Sequence, residues 1–420
     1  LSIRRQRQMC IRDSFKRRLY TSGVKKSLWF TALPLCLSAL VALWWLIDIP
    51  ELFSGKFSTY YHIDLDVYRE GGAGFGSDLY AKDYLVGSNR DVSLPFTYPP
   101  FAALLFAPLS WIPLTAASIL VSIASFLALW GCIALVLRAV DCPGWAGWAL
   151  LAAMLTEPVT ETFSFGQVNI LLTALVVVDI LWLRPGRGRG VLTGIAMAIK
   201  LTPAVFLAVF FVRREWRAFF SALGSFLAAG LIAFACNPHS SIQYWSETLR
   251  DSNRIGGLAY SSNQSLRGFF SRLAPDHAEK LWLVAVVLVV AIVWFAMERL
   301  SHESQAVLML LAAAVSLLCS PVSWSHHFTW LVLAGVLLVA RRYWALAALT
   351  WLALLARGHW LVPHANDQEL NWEWWQHIVG NDYAIVTALL VLCSLPLALR
   401  RAGAYPVSYT HLRAHETGRN

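Results

Sequence analysis

Charged residues are scarce in this sequence of 420 residues. Asp, Glu, Lys and Arg make up only 14% of the chain. A soluble globular domain usually has about a quarter. Hydrophobic residues account for 57%, and the mean hydropathy is +0.55. This composition excludes an ordinary soluble domain and predicts a polytopic membrane protein.

Cysteine is also sparse, with seven residues that form no CxxC motif and no Cys/His cluster. Most of them fall within apolar segments, where a free cysteine behaves as a small hydrophobic residue. The sequence therefore indicates neither a disulfide framework nor a metal site, and we expect no cofactor.

Acidic residues are fewer than basic ones, and the formal net charge is +9. The basic residues form short clusters between apolar segments, which is typical of cytoplasmic loops and is not a nucleic-acid signal. Clusters before the first apolar segment and at Arg400–Arg401 predict that both termini are cytoplasmic. We therefore expect membrane lipids, and no nucleic acid, as partners.

The two ends of the chain differ from the rest. Residues 1–14 and 406–420 resemble translated sequencing-adapter sequence, and we expect both to be artefacts. Residues 15–405 are expected to form a single membrane domain.

Ten apolar segments are long enough to cross or nearly cross a bilayer. They cover residues 28–47, 114–138, 145–162, 168–183, 217–236, 281–298, 305–320, 327–340, 343–356 and 383–399. The proline-rich stretch 96–113 predicts a short helix in the membrane surface. The stretch 191–212 predicts two half-helices that form a hairpin with Lys200 at its tip, and an ionisable group at that depth indicates function. Together these segments predict an all-α bundle of roughly ten to twelve transmembrane helices.

With a cytoplasmic N-terminus, the loop over residues 48–94 is extracytoplasmic, and it contains Asp64. A carboxylate near the membrane surface suits a general base that works where a lipid substrate meets a water-soluble one. Asp66 is the alternative base. Both carboxylates can equally be solvated loop residues.

Further polar islands are expected on the same face, and Lys200 can reach the same depth. They are Phe96-Thr-Tyr-Pro-Pro100, Phe165-Gly-Gln-Val-Asn169, Ser262-Asn-Gln-Ser-Leu-Arg-Gly268 and Ser320-Pro-Val-Ser-Trp-Ser-His-His327. Neutral donors and acceptors suit sugar hydroxyls, and the candidates are Tyr68, Tyr98, Gln167, Asn169, Asn263, Gln264 and His327. Lys200, Arg267 and a histidine suit a phosphate. Side chains suited to a sugar and to a phosphate, placed at a membrane, together indicate a sugar donor that is linked to a lipid phosphate.

Each island also has a plainer interpretation. A pair such as His326-His327 is more often a capping or interfacial feature than a catalytic one, and the island around Asn263 can simply be a turn. Adjacent histidines rarely bind one zinc ion together, so a zinc site with Asp64 is disfavoured.

Taken in order, the islands resemble the motifs of glycosyltransferase family 87, the polyprenyl-phosphate-mannose-dependent mannosyltransferases of the actinobacterial envelope. The matching pieces are Asp64-x-x-Val-Tyr68, Phe96-Thr-Tyr-Pro-Pro-Phe-Ala-Ala103, Gly166-Gln-Val-Asn169, Lys200-Leu-Thr-Pro203, Ser262-Asn-Gln-Ser-Leu-Arg-Gly268 and Ser320-Pro-Val-Ser-Trp-Ser-His326. The resemblance implies a GT-C architecture, which is a multi-helix membrane bundle with catalytic loops on the outer face. It also implies that Asp64 is the catalytic base and that His326 lies in the site, with His327 ranked below it.

The resemblance implies an inverting transfer of mannose from polyprenyl-phosphate mannose to a mannosylated lipid or lipoglycan, commonly with α-1,2 linkage. Lys200, Arg267 or His326 would stabilise the charge on the phosphate, so no metal is expected. Transfer of arabinofuranose from the corresponding lipid phosphate is the nearest alternative.

A transporter or flippase for a lipid-linked saccharide is the alternative from another class. A broken helix with an intramembrane Lys200 would also suit that function. Such transporters often have two related halves, and the sequence has no second copy of the segments around Asp64 or Lys200.

Overall fold

The computed structural model describes residues 28–81, 83–186 and 188–402. The two ends expected to be artefacts therefore lie outside the described residues, as do the basic residues that precede the first apolar segment. Most of the described residues are helical, and the paired strands among them form only one short hairpin, which confirms the all-α class.

The helices of the first half are α1 (Leu28–Leu46), α2 (Ile49–Phe53), α3 (Ile63–Ala73), α4 (Pro100–Ser110), α5 (Leu114–Arg138), α6 (Ala146–Met154), α7 (Glu157–Phe165), α8 (Asn169–Val177) and α9 (Val191–Ile199). Those of the second half are α10 (Leu207–Val212), α11 (Trp216–Cys236), α12 (Pro238–Ser246), α13 (Leu266–Leu273), α14 (Ala278–Arg299), α15 (Gln305–Cys319), α16 (Thr329–Ala340), α17 (Trp344–Ala356), α18 (Trp374–Gly380) and α19 (Asp382–Ala402). Strands β1 (Tyr84–Val86) and β2 (Val92–Leu94) pair antiparallel in a hairpin, with Tyr84 opposite Leu94.

Four helices within the described chain are long and apolar enough to cross a bilayer, namely α5, α11, α14 and α19. The pair α7 and α8 adds a fifth if the two helices are counted as one broken span. Shorter apolar helices, α1, α4, α15 and α16 among them, pack beside these spans. The chain is therefore a polytopic membrane protein, while the expected ten to twelve crossings stay a prediction.

The single span expected over residues 145–162 is wrong, because the structure has two helices there. α6 ends at Met154, and α7 begins at Glu157 with Pro158 in its first turn. Pro158 has no backbone N–H to donate to the carbonyl of Met154, four residues earlier, so the α-helical ladder stops there.

The chain bends by 117° between α7 and α8, at Gly166. Gly166 has φ +69°, in the left-handed region that favours glycine. A Cβ there would lie 2.7 Å from Cβ of Leu65 and 2.9 Å from Cβ of His62, so only glycine lets α3 approach so closely. This close contact brings the island that follows Gly166 against α3.

The helix around Lys200 is broken, as the sequence predicts. Lys200 has an extended backbone after α9, and a short 3-10 helix, Thr202–Phe206, leads into α10. Pro203 cannot donate a backbone hydrogen bond to Ile199, four residues earlier, so the α-helical ladder stops there. The break directs Lys200 toward α8 and the loop before α16.

Candidate active site

Asp64 lies in the first turn of α3 and is held by Gln167, which follows the bend at Gly166. Its Oδ2 accepts a hydrogen bond from Nε2 of Gln167 at 2.6 Å. The amide oxygen of Gln167 accepts from the hydroxyl groups of Tyr68 at 2.7 Å and Tyr98 at 3.4 Å. Because two hydroxyl donors meet the oxygen, the NH₂ of Gln167 must face Asp64. This arrangement holds the carboxylate in one orientation.

Burial raises the pKa of Asp64 to about 6, even though the hydrogen bond from Gln167 and the charge of Lys200 oppose that rise. The carboxyl group is therefore mostly ionised at neutral pH but close to its titration range. A general base works best with a pKa near the operating pH, so this carboxylate is suited to accept a proton.

Asp66 is engaged differently, on another side of the same helix. Its Oδ2 accepts from the hydroxyl of Tyr61 at 2.7 Å, and its Oδ1 forms an ion pair with Arg69 at 3.1 Å. Arg69 also donates to the carbonyl groups of Leu109 and Ile112 at the end of α4. Asp66 therefore fastens α3 to α4, and both of its oxygens already have partners.

Lys200 joins two other islands. Its Nζ donates to Oδ1 of Asn169 at 3.1 Å and lies 3.0 Å from Nε2 of His327. It also lies 5.2 Å from the ring centre of Tyr98. Since an ammonium group can only donate, Nε2 of His327 accepts, and the ring carries its proton on Nδ1. The ammonium group is thereby fixed beside the Asp64 cluster.

A cavity of about 40 Å³ opens at Lys200. It is lined from α8, α15, α16 and the loop before α16, with Asn169, Ser323 and His327 among the lining residues. A much larger groove, of about 550 Å³, runs between α15, α16 and α19. The two share Leu317 and Trp330 in their walls, so the polar cavity adjoins an apolar groove.

His326 lies at the edge of this cluster and is 5% exposed. Its ring meets Phe165 edge-on at 5.6 Å and lies 4.8 Å from the ring of His327. Neither ring nitrogen has a hydrogen-bond partner among the described residues. A buried imidazole without partners has its full hydrogen-bonding capacity left for a ligand.

Asn263 and Gln264 are engaged with backbone groups. The amide of Asn263 bonds to Leu258, Pro321 and Ser323, and that of Gln264 bonds to Ser261, Gly380 and Tyr383. Both side chains are fully buried. They tie the loop before α13 to its neighbours, and Asn263 shapes the cavity only through Ser323.

Arg267, on α13, is also separate from the Asp64 and Lys200 cluster in its contacts. It lies 3.5 Å from the carboxylate of Glu279 and 5.5 Å from the ring centre of Trp282, both on α14. Within the described part of the chain, no hydrogen bond connects it to that cluster.

Comparison with known proteins identifies the family. The sequence profile of glycosyltransferase family 87 matches residues 96–321, which is more than half of the chain. The chain belongs to glycosyltransferase family 87. It is therefore a glycosyltransferase embedded in the membrane.

Three similar proteins come from mycobacteria. In Mycobacterium tuberculosis, a polyprenol-phosphate-mannose-dependent alpha-(1-2)-phosphatidylinositol mannoside mannosyltransferase is 35% identical in an alignment that covers 81% of this chain and 86% of that protein. Its namesake in Mycolicibacterium smegmatis is 35% identical over 77% of this chain and 81% of its own length. A polyprenol-phosphate-mannose-dependent alpha-(1-2)-phosphatidylinositol pentamannoside mannosyltransferase of the same species is 31% identical over 77% of this chain and 83% of that protein.

The sequence did not single out a buried ionic network in this glycosyltransferase. Glu157, at 1% exposure, accepts from the hydroxyl of Tyr383 at 2.9 Å and from Nε1 of Trp360 at 3.3 Å. His359 lies between Glu157, at 3.4 Å, and Asp382, at 3.3 Å. Burial alone would lower the pKa of His359, but hydrogen bonds to the two carboxylates outweigh it and raise the pKa to about 9. The sequence contains one signal of this network, because Glu157 is an acidic residue that precedes a proline within an otherwise apolar segment.

Among the described residues, no group of three or more His, Cys, Asp or Glu side chains is arranged to hold a metal ion. Metal-independent transfer by this family 87 enzyme stays a prediction.

Proposed function

We propose that this enzyme transfers mannose from polyprenyl-phosphate mannose to a phosphatidylinositol mannoside or a similar mannosylated lipid, and forms an α-1,2 linkage. The observation that carries the proposal is the hydrogen-bonded cluster in which the carboxylate of Asp64 and the ammonium group of Lys200 converge beside an apolar groove. The names of the similar mycobacterial proteins, which specify this donor, acceptor class and linkage, support the same assignment.

In the proposed reaction, Asp64 takes the proton from an acceptor hydroxyl as that oxygen attacks the anomeric carbon of the donor. The new glycosidic bond forms on the face opposite the phosphate, so a β-mannosyl donor gives an α-mannoside. The bond between the anomeric carbon and the phosphate oxygen breaks, and polyprenyl phosphate leaves with the electron pair. Asp64 then releases its proton to solvent. Asp64 is favoured over Asp66 because Tyr61 and Arg69 already occupy the oxygens of Asp66.

Lys200 stabilises the negative charge that grows on the phosphate oxygens as the donor bond breaks. Asn169 and His327 hold its ammonium group at a fixed position, so little reorganisation accompanies the reaction. A phosphate is a good leaving group, and a general acid is not required. His326, whose ring nitrogens have no partner among the described residues, is available to donate to the same phosphate.

The isoprenoid chain of the donor fits the groove between α15, α16 and α19. The groove is lined largely by aliphatic side chains and shares two residues with the cavity at Lys200. Its far part reaches Glu303 and Arg341. Arg341 and Arg342 form a short basic cluster between α16 and α17, which is typical of a cytoplasmic loop. When the donor phosphate is bound at Lys200, its isoprenoid tail in this groove therefore runs along the membrane normal. The reaction then takes place on the extracytoplasmic face.

A transfer assay on the purified enzyme in nanodiscs tests the function. Radiolabelled polyprenyl-phosphate mannose and a phosphatidylinositol mannoside are supplied with and without a chelator, and the product linkage is determined by α-1,2-mannosidase digestion. We expect transfer that the chelator does not reduce and a label that the mannosidase releases. Transfer only from the polyprenyl-phosphate arabinofuranose donor would assign the alternative sugar, and no transfer from either donor would overturn the proposal.

A further inference from the structure

Three aromatic rings from different loops form a partly exposed cluster. Tyr260 precedes α13, Trp324 precedes α16, and Trp360 follows α17. The ring of Tyr260 lies 6.0 Å from the ring of Trp324 and 6.0 Å from that of Trp360. Tyr260 is 42% exposed, so the cluster presents aromatic surface to solvent and is not sealed in the core.

This cluster adjoins the cavity at Lys200. The carbonyl group of Trp324 accepts a hydrogen bond at 2.8 Å from the backbone N–H of His327, whose ring contacts Lys200. Yet none of the three aromatic residues lines the cavity at Lys200 or the apolar groove. The aromatic cluster is therefore a separate surface beside the donor side of the site.

An ion pair lies beside this cluster. Nη2 of Arg357 is 3.2 Å from Oε1 of Glu161, and their side chains are 44% and 16% exposed. The pair adjoins the aromatic cluster, because the backbone N–H of Trp360 donates to the carbonyl of Arg357 at 2.9 Å and the indole of Trp360 donates to Glu157, one turn before Glu161 on α7. An ion pair this exposed contributes little to stability, so a ligand can rearrange the two charged groups at little cost.

α7 fixes the distance between Glu161 and the site. Phe165, one helical turn after Glu161, contacts the ring of His326, and Gln167 at the end of the helix holds Asp64. The four-residue step from Glu161 to Phe165 spans about 6 Å along the helix axis. Glu161 therefore lies on the short helix that leads to His326 and, through Gln167, to Asp64.

Buried polar contacts hold the aromatic rings in place. Arg272, at 1% exposure, donates to the carbonyl of Tyr260 at 2.8 Å and to that of Ala259 at 3.1 Å. Nε1 of Trp360 donates to Glu157 at 3.3 Å. A surface organised before binding loses less conformational entropy when a ligand arrives.

Aromatic faces next to a carboxylate and a guanidinium group match a hexose, whose C–H face stacks on rings and whose hydroxyls bond to charged groups. We propose that Tyr260, Trp324, Trp360, Glu161 and Arg357 form the subsite for the terminal mannose of the acceptor. The subsite directs one hydroxyl of that mannose to Asp64, and this assignment rests on the proposed function.

Acceptor binding is measured first, without any transfer step. Nanodiscs that contain the enzyme are titrated with a phosphatidylinositol mannoside, and phosphatidylinositol without mannose serves as the reference lipid. We expect Glu161→Gln and Arg357→Gly to weaken binding of the mannoside by about tenfold or more, the contribution of a hydrogen bond to a charged group. Binding of the reference lipid should not change.

Arg357→Gly is a favourable variant because Arg357 has φ +56°, in the left-handed region that glycine adopts without strain. Arg342→Gly is its matched control, since Arg342 is exposed, follows α16 and has φ +63°. Arg342→Gly should leave mannoside binding unchanged. In steady-state transfer, Arg357→Gly should raise the KM for the acceptor by a similar factor and leave the KM for the donor unchanged.

The outcomes separate the two proposals. Binding that is lost in Glu161→Gln and Arg357→Gly, together with an inactive wild type, would support the subsite and refute the transferase assignment. Equal mannoside binding by wild type and both variants would overturn the subsite, and so would a wild type that does not bind the mannoside. If the variants weaken both lipids equally, the aromatic cluster is a membrane contact and the proposal is wrong.

Discussion

The hydrogen bond from Gln167 to Asp64 should set the pH at which the enzyme loses activity in acid. Replacing Gln167 by Met keeps a side chain of similar length but removes the amide donor. A hydrogen bond to a charged group contributes about 1.5–3 kcal/mol. One pKa unit corresponds to about 1.4 kcal/mol, so the pKa of Asp64 should rise by about one to two units. The protonated carboxyl group cannot accept a proton, so activity is lost below the higher pKa.

The assay is kcat/KM for mannosyl transfer between pH 5 and pH 9. In the wild type, the acid limb should lie near pH 6, the pKa that burial gives to Asp64. At pH 6, kcat/KM of Gln167→Met should be about tenfold lower than that of the wild type. At pH 9 most of this difference should disappear, because the base is then ionised in both enzymes. Tyr68→Phe, which removes a donor to Gln167 but no contact with Asp64, should shift the limb far less. An acid limb that stays near pH 6 in Gln167→Met would refute the reasoning.

Three further predictions concern charged groups. Lys200→Met should lower kcat by about 100-fold or more, because the leaving phosphate loses its charge partner, and Lys200→Arg should restore part of that rate. The pKa of His359 is raised in the fold, so the protonated ring stabilises the folded protein. This stabilisation is fully present below about pH 6.5 and is lost as the pH rises through about 9. His359→Gln should therefore lower the Tm most at pH 6 and flatten the decline of Tm between pH 7 and pH 9; an unchanged profile contradicts this. Arg272→Met should destabilise the fold by roughly 2–4 kcal/mol, since several buried oxygens lose their donor. The control Arg267→Met, on the same helix, should lower the Tm less, and equal losses would show that the buried contacts of Arg272 are not responsible.

The parts of the site that the sequence predicts are those whose function depends on local chemistry. Asp64, Gln167 and Lys200 each stand out as polar residues beside long apolar segments, where a polar group is costly unless it has a purpose. The break at Lys200 follows from Pro203, which is also a local signal. The bend at Gly166 brings these residues together in one cluster.

The sequence predicts less well where one residue type serves two purposes. Amides such as those of Asn263 and Gln264 can bind sugar hydroxyls or satisfy backbone groups, and only the meeting of distant loops decides which they do. In the described structure they bond to backbone groups up to 119 residues away. Arg272 is buried for the same reason, because its acceptors come from the loop before α13 and from Asn381.

The span expected over residues 145–162 fails for a different reason. Hydropathy measures whether a segment is apolar, but it does not register that Pro158 interrupts the helical hydrogen bonds or that Glu157 has buried partners. Those partners, His359 and Tyr383, lie more than 200 residues further along the chain.

The most direct test of the account is single-turnover transfer by Asp64→Asn beside Asp66→Asn, with donor binding measured on the same preparations. Removing a general base should lower the transfer rate by at least about 100-fold in Asp64→Asn while the donor still binds. Asp66→Asn should retain most of the rate, although its loss of the Arg69 pair should lower the Tm. Near-normal transfer by Asp64→Asn, or loss of transfer in Asp66→Asn alone, would contradict the assignment of Asp64 as the base.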